Sequence, residues 1–260
     1  MSSFTLKCPR FIYLGLWVLY STLFLSDYYK GITNRGSVSL MMYIFVGLSY
    51  VVVSSIWIWS YYVCCWGDPG SLYLFYKNTG LLAKIRNENI PRALKDLPLC
   101  KKCGLPKPER CHHCSECNAC HFRFDHHCPV IGNCVALNNM KGFILMPIYG
   151  GVLLIVYGWL LAIHYGLIFA ILVFPFCFAF IGMGIQTCCE ICSNKTTLEK
   201  IGDERVSTKS YSQGWISNYK EIFSGFWGSI LPTPPSVSGF YWSGIDENDL
   251  LDNHERTPLL

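Results

Sequence analysis

Four apolar runs dominate this 260-residue chain and leave little choice of architecture. They cover roughly residues 11–25 (extending to about 29 if Asp27 sits at an interface), 38–63, 143–163 and 165–187. A bilayer-spanning helix needs about 20 mostly apolar residues, and in hydrocarbon the backbone must satisfy its own hydrogen bonds. Each run is therefore expected to be a transmembrane helix. The last two are separated by scarcely any loop, so a tight turn near His164 is expected, with a re-entrant pair as the alternative. Trp57, Trp59, Tyr61 and Tyr62 near the end of the second run suit a headgroup-level aromatic belt. The basic opening MSSFTLKCPR leads into an apolar run with no small-x-small cleavage pattern, which favours an anchor over a cleaved signal.

Charge supports that partition. Only 15% of residues are charged against 52% hydrophobic, and the charge is concentrated outside the four runs. The segment 64–141 carries eleven Lys or Arg, the stretch 26–37 carries Lys30 and Arg35, and the turn after the third run carries none. Basic loops remain cytoplasmic, so segment 64–141 and both termini are expected on the cytosolic face. The glycosylation pattern Asn194-Lys195-Thr196 would then lie on the unglycosylated side. A net charge of +4 gives no reason to invoke nucleic acid.

Eight of fifteen cysteines fall between Cys100 and Cys134, interspersed with His112, His113, His121, His126 and His127. Cytosolic thiols stay reduced, and repeated CxxC steps with nearby histidines point to zinc rather than disulfides. The segment is too polar and short for a good apolar core, so metal would supply folding energy. Ligands are sufficient for two zinc ions, but spacing alone does not sort them, nor spare one cysteine for chemistry.

The stretch LCKKCGLPKPERCHHCSECNACHFRFDHHCPVIGNC closely resembles the cysteine-rich domain of the DHHC protein S-acyltransferases. The resemblance includes Asp125-His126-His127-Cys128, then Asn133-Cys134, Asn139 and Phe143. Asp68-Pro69-Gly70 after the second run matches the family's DPG motif, and Thr196-Thr197-Leu198-Glu199 its TTxE motif. Asn218, with Tyr211, Gly214 and Phe223 around it, resembles the C-terminal motif. Departures are Val130 where the family usually has Trp, Ala136 where it usually has Gly, Ser224 where Gly is common, and the short third turn.

The resemblance implies an all-α polytopic membrane protein with four transmembrane helices and a cytosolic zinc-binding DHHC domain between helices 2 and 3. In this chain that gives a cytosolic N-terminus (1–10), helices 1 and 2 (11–63), the cytosolic segment (64–141, with the domain at about 98–143), helices 3 and 4 (142–187) and a cytosolic tail (188–260). One zinc would be held by Cys100, Cys103, His113 and Cys120, the other by Cys114, Cys117, His127 and Cys134. Cys128 is implied as nucleophile, with His126 as its base and Asp125 orienting that base. The donor would be a fatty acyl-CoA such as palmitoyl-CoA, its tail lodged between the spans, and the acceptors cysteines of protein substrates. Lys107 and Arg110 stand where relatives contact CoA phosphates, although generic positive-inside charge explains them equally. Cys64, Cys65, Cys188, Cys189 and Cys192 are juxtamembrane, where either S-acylation or plain apolar packing fits.

The tail from about residue 231 is rich in Pro, Ser and Gly, then acidic, and is expected to be mostly disordered. Glu255 with Leu259-Leu260, and Asp246 with Leu250-Leu251, resemble acidic dileucine signals read by sorting adaptors. Golgi or endoplasmic reticulum is the expected membrane from family habit, with endosome or lysosome added by those signals.

Overall fold

The computed structural model describes residues 8–34, 39–201 and 210–251. Four helices in it are long and apolar enough to cross a bilayer. They are α1 (Cys8–Thr33), α2 (Leu40–Trp66) and, after the intervening elements, α6 (Met140–Tyr165) and α7 (Leu167–Cys192). Each outruns its apolar stretch by several residues, because helix continues into the polar flanks until a cap stops it. Ser39 caps α2 by accepting from Met41 N, and Gly67 ends it with its amide on the carbonyls of Tyr62 and Val63. Gly166 alone joins α6 to α7, at φ 87°, a conformation that costs glycine little. His164 lies two residues earlier, inside α6, where its ring meets the Tyr43 hydroxyl at 3.2 Å.

Small residues let α6 and α7 approach closely. A Cβ on Gly184 would come within 2.4 Å of Ile148, and one on Gly151 within 2.5 Å of Ile181. Aromatic stacking joins α1 to α2, with Phe24 3.9 Å from Tyr50 and Trp17 6.2 Å from Trp57. Asp27 of α1 accepts from Tyr157 and Tyr165 of α6 at 3.0 and 2.8 Å, so its carboxylate is satisfied inside the bundle.

Between α2 and α6 the chain forms three short helices, α3 (Leu72–Asn78), α4 (Leu81–Arg86) and α5 (Arg92–Lys95), then two hairpins. β1 (His112–Cys114) pairs antiparallel with β2 (Ala119–His121), and β3 (His126–Cys128) with β4 (Asn133–Val135). Beyond α7 come α8 (Thr197–Lys200), α9 (Trp215–Phe223), α10 (Phe226–Ile230) and α11 (Glu247–Leu251).

Residues 231–251 contradict the expectation of a disordered tail. They pack against the hairpins, with Phe240 fully buried among Phe75, Tyr76 and Phe122 at 5.3, 6.2 and 5.4 Å. Gly239 permits that fit, since a Cβ there would fall 2.3 Å from the Phe122 ring. Leu250 is buried in the same core on α11, so the Asp246/Leu250-Leu251 pattern is not the extended free peptide that a dileucine signal requires. Leu259-Leu260 and Glu255 lie outside the described residues.

Candidate active site and metal centres

Each hairpin brings a histidine and a cysteine face to face. His113 opposes Cys120 across β1–β2, and His127 opposes Cys134 across β3–β4. A CxxC knuckle closes each set: Cys100 and Cys103 on the first, Cys114 and Cys117 on the second. In the first set, His113 Nδ1 is 3.2, 3.7 and 3.8 Å from the sulfurs of Cys103, Cys120 and Cys100. In the second, His127 Nδ1 is 3.4, 3.7 and 3.8 Å from those of Cys117, Cys134 and Cys114. A tetrahedral zinc with its usual bond lengths separates neighbouring ligand atoms by roughly 3.5–3.8 Å. Both quartets, each with three sulfurs and one imidazole, therefore fit zinc in size and chemistry.

The two quartets are one motif used twice. Cys100, Cys103, His113 and Cys120 recur as Cys114, Cys117, His127 and Cys134, each 14 positions further along the chain. This repeat explains the interleaving that spacing alone could not sort: the turn of the first hairpin is the knuckle of the second site. It also explains why Cys128 is free. The next 14-residue step carries Cys114 onto Cys128, but the CxxC partner there is Ile131.

The same comparison isolates what Asp125 does. In the first copy, Cys111 and His112 occupy the positions of Asp125 and His126. Burial, aided by nearby Lys107, lowers the His112 pKa to about 4, so that ring is neutral. In the second copy, Asp125 Oδ2 lies 2.7 Å from His126 Nδ1. Burial again opposes the charged ring, but hydrogen bonds with Asp125 and Cys128 hold the His126 pKa up at about 9. Burial would raise the Cys128 thiol, yet bonds from His126 and the backbone amides of Ile131 and Val130 bring it below its ordinary value. Asp125, His126 and Cys128 thus form a carboxylate–imidazole–thiol line in which the thiol is easier to ionise than usual, an arrangement able to activate a sulfur nucleophile.

Distant segments hold that line. Thr197 donates from its amide to Asp125 Oδ1 at 2.9 Å and from its hydroxyl to Oδ2 at 2.8 Å. Thr196 and Glu199 form a capping box that sets the start of α8. Asn133, the residue facing Cys128, donates to the carbonyls of Cys64 and Gly67 at 3.0 Å each, tying β3–β4 to the end of α2. Asp68 Oδ1 accepts from Gly70 N and Ser71 N, and Gly70 O accepts from Phe122 N, so the turn after α2 is stitched to the metal-binding module. Asn139 is fully buried, bridging Ala136 N and Cys134 O, and Phe143 meets the His126 ring edge-on at 5.5 Å.

An apolar cavity of about 420 Å³ lies within the bundle and reaches Val130 and Ile131, two and three residues past Cys128. Trp17, Tyr20, Trp57, Met146 and Leu154 are among its other lining residues. Val130 is one of the departures noted in the sequence.

Arg110 corrects the sequence reading. Its side chain is 1% exposed and forks onto Glu199, with Nε and Nη2 at 2.8 Å from the two carboxylate oxygens. Nη1 and Nη2 also donate to Asn194 Oδ1 and Asn194 O. A guanidinium so enclosed and occupied is not available to CoA phosphates. Lys107 remains half-exposed. Asn194 is 2% exposed, and its amide is further bonded to Tyr211 O and Glu221, which leaves no access for a glycan.

Residues 94–167 match the DHHC palmitoyltransferase family profile. Palmitoyltransferase ZDHHC2 of Homo sapiens is 34% identical over 122 residues, covering 39% of this chain and 33% of that protein. Palmitoyltransferase ZDHHC15 of Rattus norvegicus is 31% identical over 187 residues, covering 60% of this chain and 54% of that protein. Palmitoyltransferase pfa3 of Emericella nidulans is 56% identical over 50 residues, 19% of this chain and 10% of that protein. The aligned part thus spans between about a tenth and about half of these relatives' lengths. With the repeated metal quartets and the Asp125-His126-His127-Cys128 line, residues 94–167 are a domain of the DHHC palmitoyltransferase family.

Proposed function

We propose that this protein is a protein S-acyltransferase that moves a fatty acyl group, palmitoyl first among them, from acyl-CoA to cysteines of protein substrates through a Cys128 thioester. The observation that carries the reading is the position of Cys128: a buried thiol paired with His126, left out of both metal quartets, two residues from the lining of an apolar cavity. Two zinc ions, one per quartet, would hold the hairpins in place and supply no step of the reaction.

The Cys128 thiolate attacks the carbonyl carbon of acyl-CoA. The bond from that carbon to the CoA sulfur breaks, and the departing thiolate takes the proton from His126. A substrate cysteine then gives its proton to His126, attacks the Cys128 thioester and releases the Cys128 thiolate. Thioester is exchanged for thioester, so no ATP is needed. Burial of the acyl tail in the cavity contributes about 0.8 kcal/mol per methylene. Lys107 is the remaining candidate for a CoA phosphate contact.

We assign residues 64–141, with the domain at about 98–143, the first ten residues and 188–260 to the cytosolic face, on the strength of the basic bias in 64–141. The spans are 11–63 and 142–187 as two pairs, trimmed to the membrane from longer helices. Golgi or endoplasmic reticulum is the default membrane. Recognition of Leu259-Leu260 by sorting adaptors would direct the protein to endosomes or lysosomes, and Ala at both positions would then redistribute a tagged protein.

The test is to incubate purified protein with labelled palmitoyl-CoA and locate hydroxylamine-labile label by peptide mapping. Label is expected on Cys128, and Cys128→Ser should abolish labelling and transfer while retaining zinc. A Ser variant that still transfers would remove Cys128 as nucleophile. A wild-type protein that takes no label would favour a non-catalytic zinc-binding membrane adaptor.

A further inference from the structure

We infer that Trp242, in the C-terminal segment, is a positioning residue for the Asp125–His126–Cys128 line, so that the segment 231–251 is a working part of the active site. The inference rests on Cys128 being the reacting thiol. The segment is pinned at two adjacent points. Glu109 N donates to Ser243 Oγ at 2.8 Å, and the neighbouring Arg110 guanidinium lies over the Trp242 ring, 4.9 Å from its centroid. Tyr211 covers Arg110 at 4.5 Å, so two aromatic rings hold the cation. Trp242 also faces Arg123, whose guanidinium is 5.8 Å away and fully buried.

Both arginines lead to Asp125. Arg110 grips Glu199 with two bonds, Glu199 closes the capping box with Thr196, and Thr197 donates twice to the Asp125 carboxylate. Arg123 stands two residues before Asp125 on the same strand approach. Burial lowers its pKa to about 10, and the like charge of Arg110 adds to that. An indole within reach of both guanidiniums offers each a π face, and a desolvated cation gains most from it. Without the ring, the two buried like charges would keep Glu199 and Glu221 nearby but lose the aromatic face they share. Arg110, still bonded to Glu199 and Asn194, would resettle against them and carry α8 and Thr197 out of register with Asp125.

The experiment compares Trp242→Leu, which keeps apolar bulk without a π face, with Trp242→Phe, which restores a ring. The first readout is the rate at which iodoacetamide alkylates Cys128, which needs no acyl-CoA. The second is Cys128 acylation at saturating and subsaturating palmitoyl-CoA. The Leu variant should keep both zincs and slow both reactions about tenfold, with KM unchanged, and the Phe variant should recover most of the rate. Alkylation by the Leu variant at the wild-type rate would overturn the inference. So would loss of zinc in step with the slowing, which would make Trp242 a plain packing residue. If alkylation slows but wild-type protein is not acylated, the positioning role stands and the acyltransfer reading fails.

Discussion

Replacing Thr197 with Val tests the active-site geometry with minimal disturbance. Valine matches threonine in shape and leaves the Thr197 amide bond to Asp125 Oδ1 in place. It removes only the 2.8 Å hydroxyl bond to Oδ2, the same oxygen that faces His126 Nδ1 at 2.7 Å. A hydrogen bond to an ionised carboxylate is worth about 1.5–3 kcal/mol. Asp125 keeps its other partners and its side chain is 12% exposed, so water partly compensates and about 1–2 kcal/mol should reach the reaction. That predicts single-turnover acylation of Cys128 slower by roughly five- to thirtyfold. The assay is rapid quench with labelled palmitoyl-CoA. Thr197→Ser, which keeps the hydroxyl, should stay close to wild type. A Val variant at full speed would refute the idea that α8 orients Asp125, and a Ser variant as slow as Val would point to packing instead.

Cys117→Ala should reduce zinc from two ions per chain to about one in elemental analysis, and lower the unfolding temperature, because binding energy in such modules is folding energy. Arg110→Ala strips a buried carboxylate of its partner and should destabilise the protein by about 3–5 kcal/mol in denaturant titration; a shift under 1 kcal/mol would show that the pair is not isolated from water. Leu154→Trp fills the cavity interior and should shift acyl-CoA preference toward shorter chains in competition assays, while an unchanged preference would place the acyl tail elsewhere.

Much of the site was legible because its parts are close in sequence. The CxxC steps and the two hairpin pairs span only Cys100 to Cys134, and short loops allow few ways to bring four ligands together. The 14-residue repeat was equally present in the sequence and would have sorted the ligands without any family resemblance. Arg110 was misread because its partner Glu199 is 89 residues away, and an isolated arginine in a basic segment looks like every other one. Thr197 was visible as part of a motif, but its hydrogen bonds to Asp125 were not. The tail was misread for a related reason. Pro, Ser and Gly content describes a chain that cannot make its own core, yet Phe240, Trp242 and Leu250 find one already built by α3 and the hairpins.

The four apolar helices and a segment able to bind two zinc ions follow from the sequence itself, while the sorting of its ligands into two quartets came from the family resemblance: hydrocarbon forces unbroken apolar chain into helix, and zinc geometry draws closely spaced thiols and imidazoles together. Tertiary structure alone decided that Arg110 is a buried support rather than a phosphate contact, that Leu250 is core rather than signal, that Thr197 stands behind Asp125, and that Trp242 packs on Arg110. The physical reason is that a local constraint is written in residue spacing. The partner of a buried charge or ring is chosen by whichever distant segment folds against it.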